Sequence, residues 1–332
     1  MKRDWSAEAL LEQARSYQLS QPLLAAAELE LFDRLDEQAL SAEQLADALR
    51  ADRRAITILL DALAALGVLT KSLERYALPA ELRPLLTSGG ETSVLAMLRH
   101  QATCAHRWDQ LVESVRTGKP ATALAGRELT DVERRAFIQA MHVIGRAMAA
   151  GIVGRLDASR FSRALDIGGG SGTYTIALLE AAPALRVTLF DLPQVVEMAR
   201  ERLAASELLD RVSLVAGDFY EDPLPAGHDL ALLSAIVHQN SRSQNRELFV
   251  KCRDALYPGG LLVIRDVLMD VSHTQPVGGA LFAINMLVAT EGGGTYSFEE
   301  LREDLGTAGF ERIELLQRGE WMDSLVLGQR AR

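Results

Sequence analysis

Cysteine is scarce in this chain, which has only Cys104 and Cys252 among its 332 residues. Two thiols so far apart in sequence support neither a disulfide framework nor a CxxC metal site. We therefore expect no metal and a reducing compartment, the cytoplasm. Long apolar runs are also lacking: residues 281–290 form the longest one near the C-terminus, whereas a membrane-spanning helix needs about 20 residues. The sequence predicts no membrane partner.

Basic residues are in the minority. The chain has 35 Lys+Arg against 45 Asp+Glu, which gives a formal net charge of -10 at pH 7. A protein that binds the phosphates of a nucleic acid needs a basic surface, so we expect no nucleic-acid partner. Hydrophobic residues make up 48% of the chain, which is enough for a substantial globular core.

The first part of the chain, residues 1–118, combines helices with a short hairpin pattern. Ser41 begins a capping box for one helix, and Asp52 caps a second helix over residues 53–66. Two short strands complete the pattern, residues 68–70 and 75–78. Two helices followed by a small hairpin are typical of a winged-helix module.

Two functions compete for this winged-helix pattern. In a DNA-reading domain, Arg53 and Arg54 would begin the recognition helix. In a protein–protein module, the same elements would serve dimerisation. Residues 1–100 have 11 Lys+Arg against 15 Asp+Glu. Because a DNA-reading surface should be basic, the charge favours dimerisation.

A connecting helical segment, residues 119–160, follows this module. Its main element is a long amphipathic helix predicted over residues 131–156, in which apolar side chains recur at helical spacing.

From residue 161 to residue 332, strand patterns alternate with helical patterns. The predicted strands are 164–168, 187–191, 212–216, 230–236, 261–267, 311–316 and 324–329, and the predicted helices between them are 173–181, 193–206, 243–256 and 298–308. This alternation predicts an α/β fold with a doubly wound, mostly parallel seven-stranded sheet. Such sheets bind ligands at the carboxyl ends of their strands.

A glycine-rich turn follows the first of these strands. Gly168, Gly170 and Gly172 allow a tight turn and a close approach of the backbone to a ligand, and a helix begins directly afterwards. Thr173 occupies a position where a dinucleotide fingerprint needs Gly or Ala, and the Lys-Ser/Thr pair of a P-loop is lacking. By itself the turn is compatible both with a nucleotide site of another kind and with a purely structural connection from strand to helix.

Acidic side chains follow the next two strands. Asp191 ends the second strand, and a carboxylate there suits the two hydroxyl groups of a ribose. Asp218 and Phe219 follow the third strand, where an acceptor and an aromatic ring suit the amine and the face of an adenine. The sequence therefore predicts a nucleoside site at this edge of the sheet.

Together these motifs resemble a class I S-adenosylmethionine-dependent methyltransferase. The segments LLSAIVH (232–238) and LYPGG (256–260), with the winged-helix pattern in front, are similar to the plant caffeic-acid type O-methyltransferases and their bacterial small-molecule relatives. The resemblance implies a Rossmann-like sheet, S-adenosylmethionine as cofactor, a small-molecule substrate and a homodimer formed through a mainly α N-terminal domain.

The resemblance also implies roles for individual residues. His238 matches the general base, and Asp266 matches an acid that flanks it. The implied cofactor contacts are Gly168 and Gly170 on the methionine side, Asp191 and Leu192 at the ribose and adenine, Asp218 and Phe219 at the adenine, and Ser234 where the family often has a lysine. The implied substrate contacts are Trp108, Met141, His142, Phe282, Asn285 and Met286.

One departure concerns the residues after the base. Gln239 and Asn240 stand where the family commonly has Asp and Trp. The acid next to the base is missing, so we expect the support of His238 to rest on Asp266 alone.

The expected chemistry is methyl transfer to a hydroxyl of a small aromatic or polyketide-like metabolite. A phenol titrates near pH 10, so a neutral imidazole is a suitable proton acceptor, and Asp266 would orient it. The alternatives are a C- or N-methyltransferase, a cofactor-binding enzyme of the same fold that transfers no methyl group, and a winged-helix transcriptional regulator that senses the cofactor.

Overall fold

The chain divides into two units, Met1–Ala105 and His106–Arg332. The computed structural model describes residues 4–90, 92–121 and 131–332, with side chains in the last range from residue 134 onwards. The predicted connecting segment, residues 119–160, falls within the second unit.

The first unit is mainly helical. Its helices are α1 (Ala7–Arg15), α2 (Tyr17–Glu28), α3 (Leu31–Arg34), α4 (Ala42–Leu49), α5 (Arg53–Ala65), α6 (Arg83–Leu86) and α7 (Leu95–Trp108), the last of which ends in the second unit; its strands are β1 (Leu40–Ser41), β2 (Thr70–Ser72) and β3 (Arg75–Ala77). The predicted caps are present: Ser41 and Gln44 form the capping box of α4, and Asp52 caps α5.

The hairpin of the first unit has a third strand that the sequence did not reveal. β1 pairs antiparallel with β3, which also pairs antiparallel with β2. A two-residue strand is too short to show a periodicity of its own. The helices bury a core around Phe32, Leu60 and Tyr76.

The second unit alternates helices and strands. Its helices are α8 (Leu111–Thr117), α9 (Asp131–Val153), α10 (Thr173–Ala181), α11 (Pro193–Ala205), α12 (Arg242–Ala255), α13 (Val277–Ala289) and α14 (Phe298–Thr307). Its strands are β4 (Arg163–Ile167), β5 (Arg186–Asp191), β6 (Val212–Ala216), β7 (His228–Ser234), β8 (Leu256–Asp266), β9 (Leu268–Met269), β10 (Tyr296–Ser297), β11 (Phe310–Gln317) and β12 (Ser324–Arg330).

Seven of these strands form one sheet in the order β11-β12-β8-β7-β4-β5-β6. The pairs β4–β5, β5–β6, β4–β7 and β7–β8 are parallel, and β12 is antiparallel to both β8 and β11. This confirms the predicted mostly parallel seven-stranded sheet. The strand order reverses between β4 and β7, which is where such sheets open a crevice for a ligand.

Helices cover both faces of the sheet. On β4, Leu165 and Ile167 belong to one buried cluster, whereas Ala164 belongs to another that includes residues of α9 and α10. Burial on both faces explains why β4 is mostly apolar inside, with Asp166 as a buried exception. The polar residues Asp191 and Ser234 end β5 and β7.

Within the described ranges, one helical segment, residues 134–153 of α9, is long and apolar enough to cross a membrane by length and composition alone. Its Ala149, Ile152 and Val153 are at most 4% exposed and pack with the α10 cluster. We interpret α9 as a core helix of the second unit.

Candidate active site

The turn after β4 leaves room for a ligand. Gly168, Gly170 and Gly172 have φ values of 65°, 57° and 82°, in the left-handed region. A Cβ on Gly168 would lie 2.7 Å from Cδ1 of Ile236, so a side chain there would clash. At Gly170 no described atom lies within 4 Å of such a Cβ. The turn therefore faces open space at Gly170.

The carboxylate of Asp191 holds this turn in place. One oxygen accepts the N–H of Gly170 at 2.8 Å, and the other accepts the N–H of Leu192 at 2.7 Å. Burial raises the pKa of Asp191, and these two hydrogen bonds oppose that shift. Each oxygen retains a lone pair, so the geometry fits an acceptor for ribose hydroxyls.

The tip of β6 lies beside the tip of β5, since the N–H of Gly217 donates to the carbonyl of Asp191 at 3.0 Å. Asp218 follows, and its Oδ1 accepts the N–H of Tyr220 at 2.9 Å. Phe219 Cε1 lies 3.7 Å from the Cβ position of Gly168. The structure therefore brings the glycine turn, Asp191 and the Asp218–Phe219 pair to one edge, and this grouping fits a nucleoside.

A pair of titratable side chains lies at the ends of β7 and β8. His238 is in a short 3-10 helix, Val237–Gln239, and Asp266 is the last residue of β8. Nδ1 of His238 lies 2.8 Å and 3.1 Å from the two carboxylate oxygens. Asp266 is 3% exposed and also accepts the N–H of Val267 at 2.8 Å. Because Nδ1 donates to this carboxylate, Nε2 carries the lone pair. In the described part of the chain, no side chain is hydrogen-bonded to Nε2.

An aromatic side chain packs against His238, and a second one packs against the first. The ring of Phe282, on α13, meets the imidazole edge-on with a centroid distance of 4.9 Å. Trp321 packs edge-on against Phe282 at 5.6 Å. Trp321 was missed in the sequence because it lies in an irregular stretch between β11 and β12.

The other residues predicted to contact substrate are divided among three helices, with Trp108 at the end of α7. On α13, Asn285 accepts the indole N–H of Trp108 at 3.0 Å, and Met286 is buried. On α9, Met141 is half-buried. His142 contacts Thr173 Oγ1 through Nδ1 at 2.8 Å and Arg202 through Nε2 at 2.9 Å. Both of its nitrogens are therefore already in use.

The environment of His142 keeps it neutral. Burial lowers the pKa of His142 to about 4, and the nearby charges of Arg202 and Arg146 add to this effect. A neutral ring accepts the N–H of Arg202 and donates to Thr173. This arrangement links α9 to α10 and α11.

Ser234 is also engaged within the protein. Its Oγ accepts a hydrogen bond from Nε of Arg265 at 2.7 Å. Nη1 of Arg265 donates to the carbonyl of Met322 at 2.5 Å. The guanidinium lies 5.0 Å from the ring centre of Tyr174. Arg265 is 4% exposed. A single arginine in a strand pattern gives no signal of this burial, so the sequence did not reveal it.

A buried acid links β4 to α10. Asp166, on β4, accepts the hydroxyl of Thr175 at 2.7 Å. Burial raises the pKa of Asp166 to about 6. An acid inside an otherwise apolar strand is a sequence signal for such a position.

Comparison with known proteins identifies the family. Residues 108–311 match the model of the O-methyltransferase domain, and residues 11–82 match the O-methyltransferase dimerisation domain. The chain belongs to the O-methyltransferase family.

Individual relatives cover nearly the whole chain. A 3-hydroxy-5-methyl-1-naphthoate 3-O-methyltransferase from Streptomyces sahachiroi is 33% identical over 308 residues, 90% of this chain and 88% of that protein. Mitomycin 7-O-methyltransferase has a similar structure, with a TM-score of 0.86 and 29% identity over 98% of this chain and 97% of that one.

Human N-acetylserotonin methyltransferase, solved in complex with S-adenosylmethionine, has a TM-score of 0.83 and 26% identity over 100% of this chain and 99% of that one. The predictions of S-adenosylmethionine as cofactor and of O-methyl transfer to a small molecule are thereby confirmed for this O-methyltransferase. The roles of the single residues stay predictions.

Proposed function

We propose that His238 is the general base that removes the proton from the acceptor hydroxyl, and that Asp266 orients it. The observation that supports this proposal is that the two nitrogens of the imidazole have different surroundings. Nδ1 is held by a buried carboxylate at 2.8 Å, and Nε2 has no described partner. The side chain of His238 is 12% exposed, so a lone pair at Nε2 is available beside the proposed nucleoside site.

The cofactor supplies a methyl group that its sulfonium already activates. The protein then has two tasks, which are to align the hydroxyl and to accept its proton. Alignment of bound reactants can supply about 7–11 kcal/mol. A positioned base adds about 10²–10⁴-fold. Nε2 would take the proton, and Asp266 would stabilise the resulting imidazolium.

The cofactor-binding residues are proposed on the grouping at the sheet edge. Gly168 and Gly170 would pass close to the methionine part, Asp191 and Leu192 would bind the ribose and adenine, and Asp218 with Phe219 would bind the adenine. Ser234 would contribute through its position at the end of β7, with its hydroxyl held by Arg265.

For the acceptor, we propose a phenolic hydroxyl on an aromatic or polyketide-like metabolite. The aromatic surface formed by Phe282 and Trp321 next to His238 suits a flat ring. The naphthoate methyltransferase from S. sahachiroi acts on such a compound. Trp108, Met141, Asn285 and Met286 are retained as proposed substrate contacts, and His142 is retained as a contact that would act through the ring faces, since both nitrogens are engaged.

We also propose a homodimer formed through the N-terminal domain. Helix α1 buries none of its residues, and its large apolar side chains Leu10 and Leu11 are each 55% exposed. Tyr17 and Leu19, at the start of α2, are 56% and 66% exposed. A stripe of large apolar side chains on consecutive helices is typical of a protein interface.

The domain division is proposed as 1–118 for dimerisation, 119–160 as a connecting segment and 161–332 for cofactor binding, in a cytoplasmic protein. The change between the two units at residues 105 and 106 supports a boundary in this part of the chain.

The test is a product assay. The purified protein is incubated with S-adenosylmethionine and a panel of hydroxynaphthoates and polyketide phenols, and S-adenosylhomocysteine and methylated product are quantified. NMR of the product distinguishes a methyl group on oxygen from one on carbon or nitrogen. A panel that yields no S-adenosylhomocysteine would favour an enzyme that binds the cofactor without transferring methyl.

The role of His238 is tested by His238→Ala. We expect turnover to fall at least about tenfold, the weak end of general-base effects, with unchanged affinity for S-adenosylhomocysteine by calorimetry. His273→Ala is the matched control, because that imidazole is exposed and pairs with Glu300 at 3.2 Å. Unchanged turnover in His238→Ala would remove the assignment.

A further inference from the structure

The loop that follows β6 and the segment that carries His238 are joined by side-chain hydrogen bonds. Tyr220 comes directly after Phe219. Its hydroxyl donates to Oδ1 of Asn240 at 2.5 Å and accepts Nε2 of Gln239 at 3.2 Å. Gln239 and Asn240 are the two residues that replace the Asp and Trp common in the family. Their side chains thus turn toward the proposed adenine loop.

Asn240 has a fixed position. It is fully buried, and its Nδ2 donates to Oδ1 of Asn245 at 3.0 Å. Its carbonyl accepts the hydroxyl of Tyr296. Asn245 is also fully buried and donates to the carbonyl of Val237 at 3.0 Å. Val237 and Asn240 bracket His238, so this network fixes the backbone on both sides of the proposed base.

His238 itself is held at two further points. Its N–H donates to Asp266 at 3.3 Å, and its carbonyl accepts the N–H of Gly294 at 2.9 Å. These contacts tie it to β8 and to the chain before β10. The hydrogen bonds of Tyr220 with Gln239 and Asn240 connect this segment to the loop that follows β6.

The adenine loop is supported by the same helix that carries Asn245. Lys251, on α12, donates to the carbonyls of Phe219, Tyr220 and Asp222 at 2.8, 2.8 and 3.0 Å. Burial raises the pKa of Tyr220, so its hydroxyl stays protonated and remains a donor at neutral pH.

We propose that Tyr220 is a positioning residue which couples the order of the nucleoside-binding loop, residues 217–222, to the position of His238. This rests on the proposed roles of His238 as base and of Asp218 and Phe219 as adenine contacts. A nucleoside held by Asp218 and Phe219 would restrict the motion of the loop. Because the hydroxyl of Tyr220 is hydrogen-bonded to Asn240, the motion of the segment 236–241 would be restricted as well. By thermodynamic reciprocity, ordering of the segment 236–241, which carries His238, then favours nucleoside binding.

The direct test is amide hydrogen exchange by mass spectrometry, with S-adenosylhomocysteine as probe. The variants are Tyr220→Phe, which keeps the ring and removes the hydroxyl, and Tyr257→Phe, a matched control on β8 whose side chain is exposed and outside the site. In the wild type and in Tyr257→Phe, we expect the probe to slow exchange in peptides covering both 215–222 and 236–241. In Tyr220→Phe, we expect protection of 215–222 alone.

Kinetics supply a second readout. The loss of the hydrogen bonds to Asn240 and from Gln239 should lower kcat of Tyr220→Phe by about two- to tenfold, with a smaller change in KM for S-adenosylmethionine. A purely structural role would instead speed exchange in both segments without the probe and would leave the probe-dependent difference intact.

The outcomes separate this proposal from the proposed function. Full probe-dependent protection of 236–241 in Tyr220→Phe would overturn the coupling, and so would its absence in the wild type with the probe bound. Unchanged turnover in His238→Ala would overturn the base assignment, and the exchange experiment would still report on the coupling, because it measures no methyl transfer.

Discussion

At the scale of single residues, the candidate site contains two carboxylates, one buried and one half-buried, that are already hydrogen-bonded within the protein. Asp266 fixes one nitrogen of His238, and Asp191 fixes the glycine turn. A carboxylate is costly to bury, and each hydrogen-bond donor from the protein offsets part of that cost. Both acids therefore act through geometry as well as charge.

The role of Asp191 gives a prediction. Asp191→Ala removes the acceptor for the Gly170 N–H and the proposed acceptor for the ribose, so we expect the affinity for S-adenosylhomocysteine to fall about ten- to hundredfold. Isothermal titration calorimetry measures this. Asp210→Ala, in the connection between β5 and β6, is the control and should bind as the wild type does. Equal affinity of Asp191→Ala and wild type would contradict the ribose role.

At the scale of elements, α9 is held to the sheet domain by polar contacts as well as by its apolar face. His142 joins it to Thr173 of α10 and to Arg202 of α11, and Arg135 lies 3.4 Å from Glu201. The contact with Arg202 requires a neutral imidazole, because Nε2 accepts the hydrogen bond there, and this makes the helix junction sensitive to pH.

A second prediction follows for stability. The pKa of His142 in the folded protein, about 4, lies below its unfolded value of about 6.5. The unfolded state therefore gains a proton first as the pH falls. The contribution of His142 to the free energy of unfolding is complete above pH 6.5 and is lost between about pH 6.5 and pH 4. Since the side chain is only half-buried, we expect a loss of about 1–2 kcal/mol.

Urea unfolding between pH 7 and pH 4 measures this loss, with His142→Gln as the comparison. Glutamine can donate to Thr173 and accept from Arg202 but does not titrate in this range. The free energy of unfolding of His142→Gln should improve relative to the wild type as the pH falls. Parallel curves for the two proteins would count against the buried, neutral imidazole.

At the scale of the whole molecule, the exposed apolar side chains of α1 and α2 form the proposed homodimer interface. We expect Leu11→Asp to weaken the homodimer at least about hundredfold, because a buried leucine contributes about 1.5–3 kcal/mol and a buried charge opposes association. Analytical ultracentrifugation over a dilution series measures the equilibrium.

Leu73→Asp is the control for this experiment, since Leu73 belongs to the same unit and is 91% exposed. It should dimerise as the wild type does. A wild-type protein that stays monomeric at micromolar concentration would remove the proposed interface.

Local patterns in the sequence determined the elements of this protein. The caps at Ser41 and Asp52, the apolar strands and the glycine turn depend on neighbours a few residues away, so they could be predicted. The edge carrying Asp191 and Asp218 was also predictable, because parallel strands bring their carboxyl ends together.

Only the tertiary structure decided how distant side chains pair. Tyr220 meets Asn240, Arg265 meets Ser234 and His142 meets Arg202, in each case across 20 or more positions of sequence. A hydrogen bond tolerates only a few tenths of an ångström of change in the donor–acceptor distance, and its strength depends on burial. Neither property is encoded in the spacing of residues along one strand or helix. In the sequence, Gln239 and Asn240 indicate only that an acid next to His238 is missing. In the structure, their side chains form hydrogen bonds with Tyr220 in the loop that follows β6.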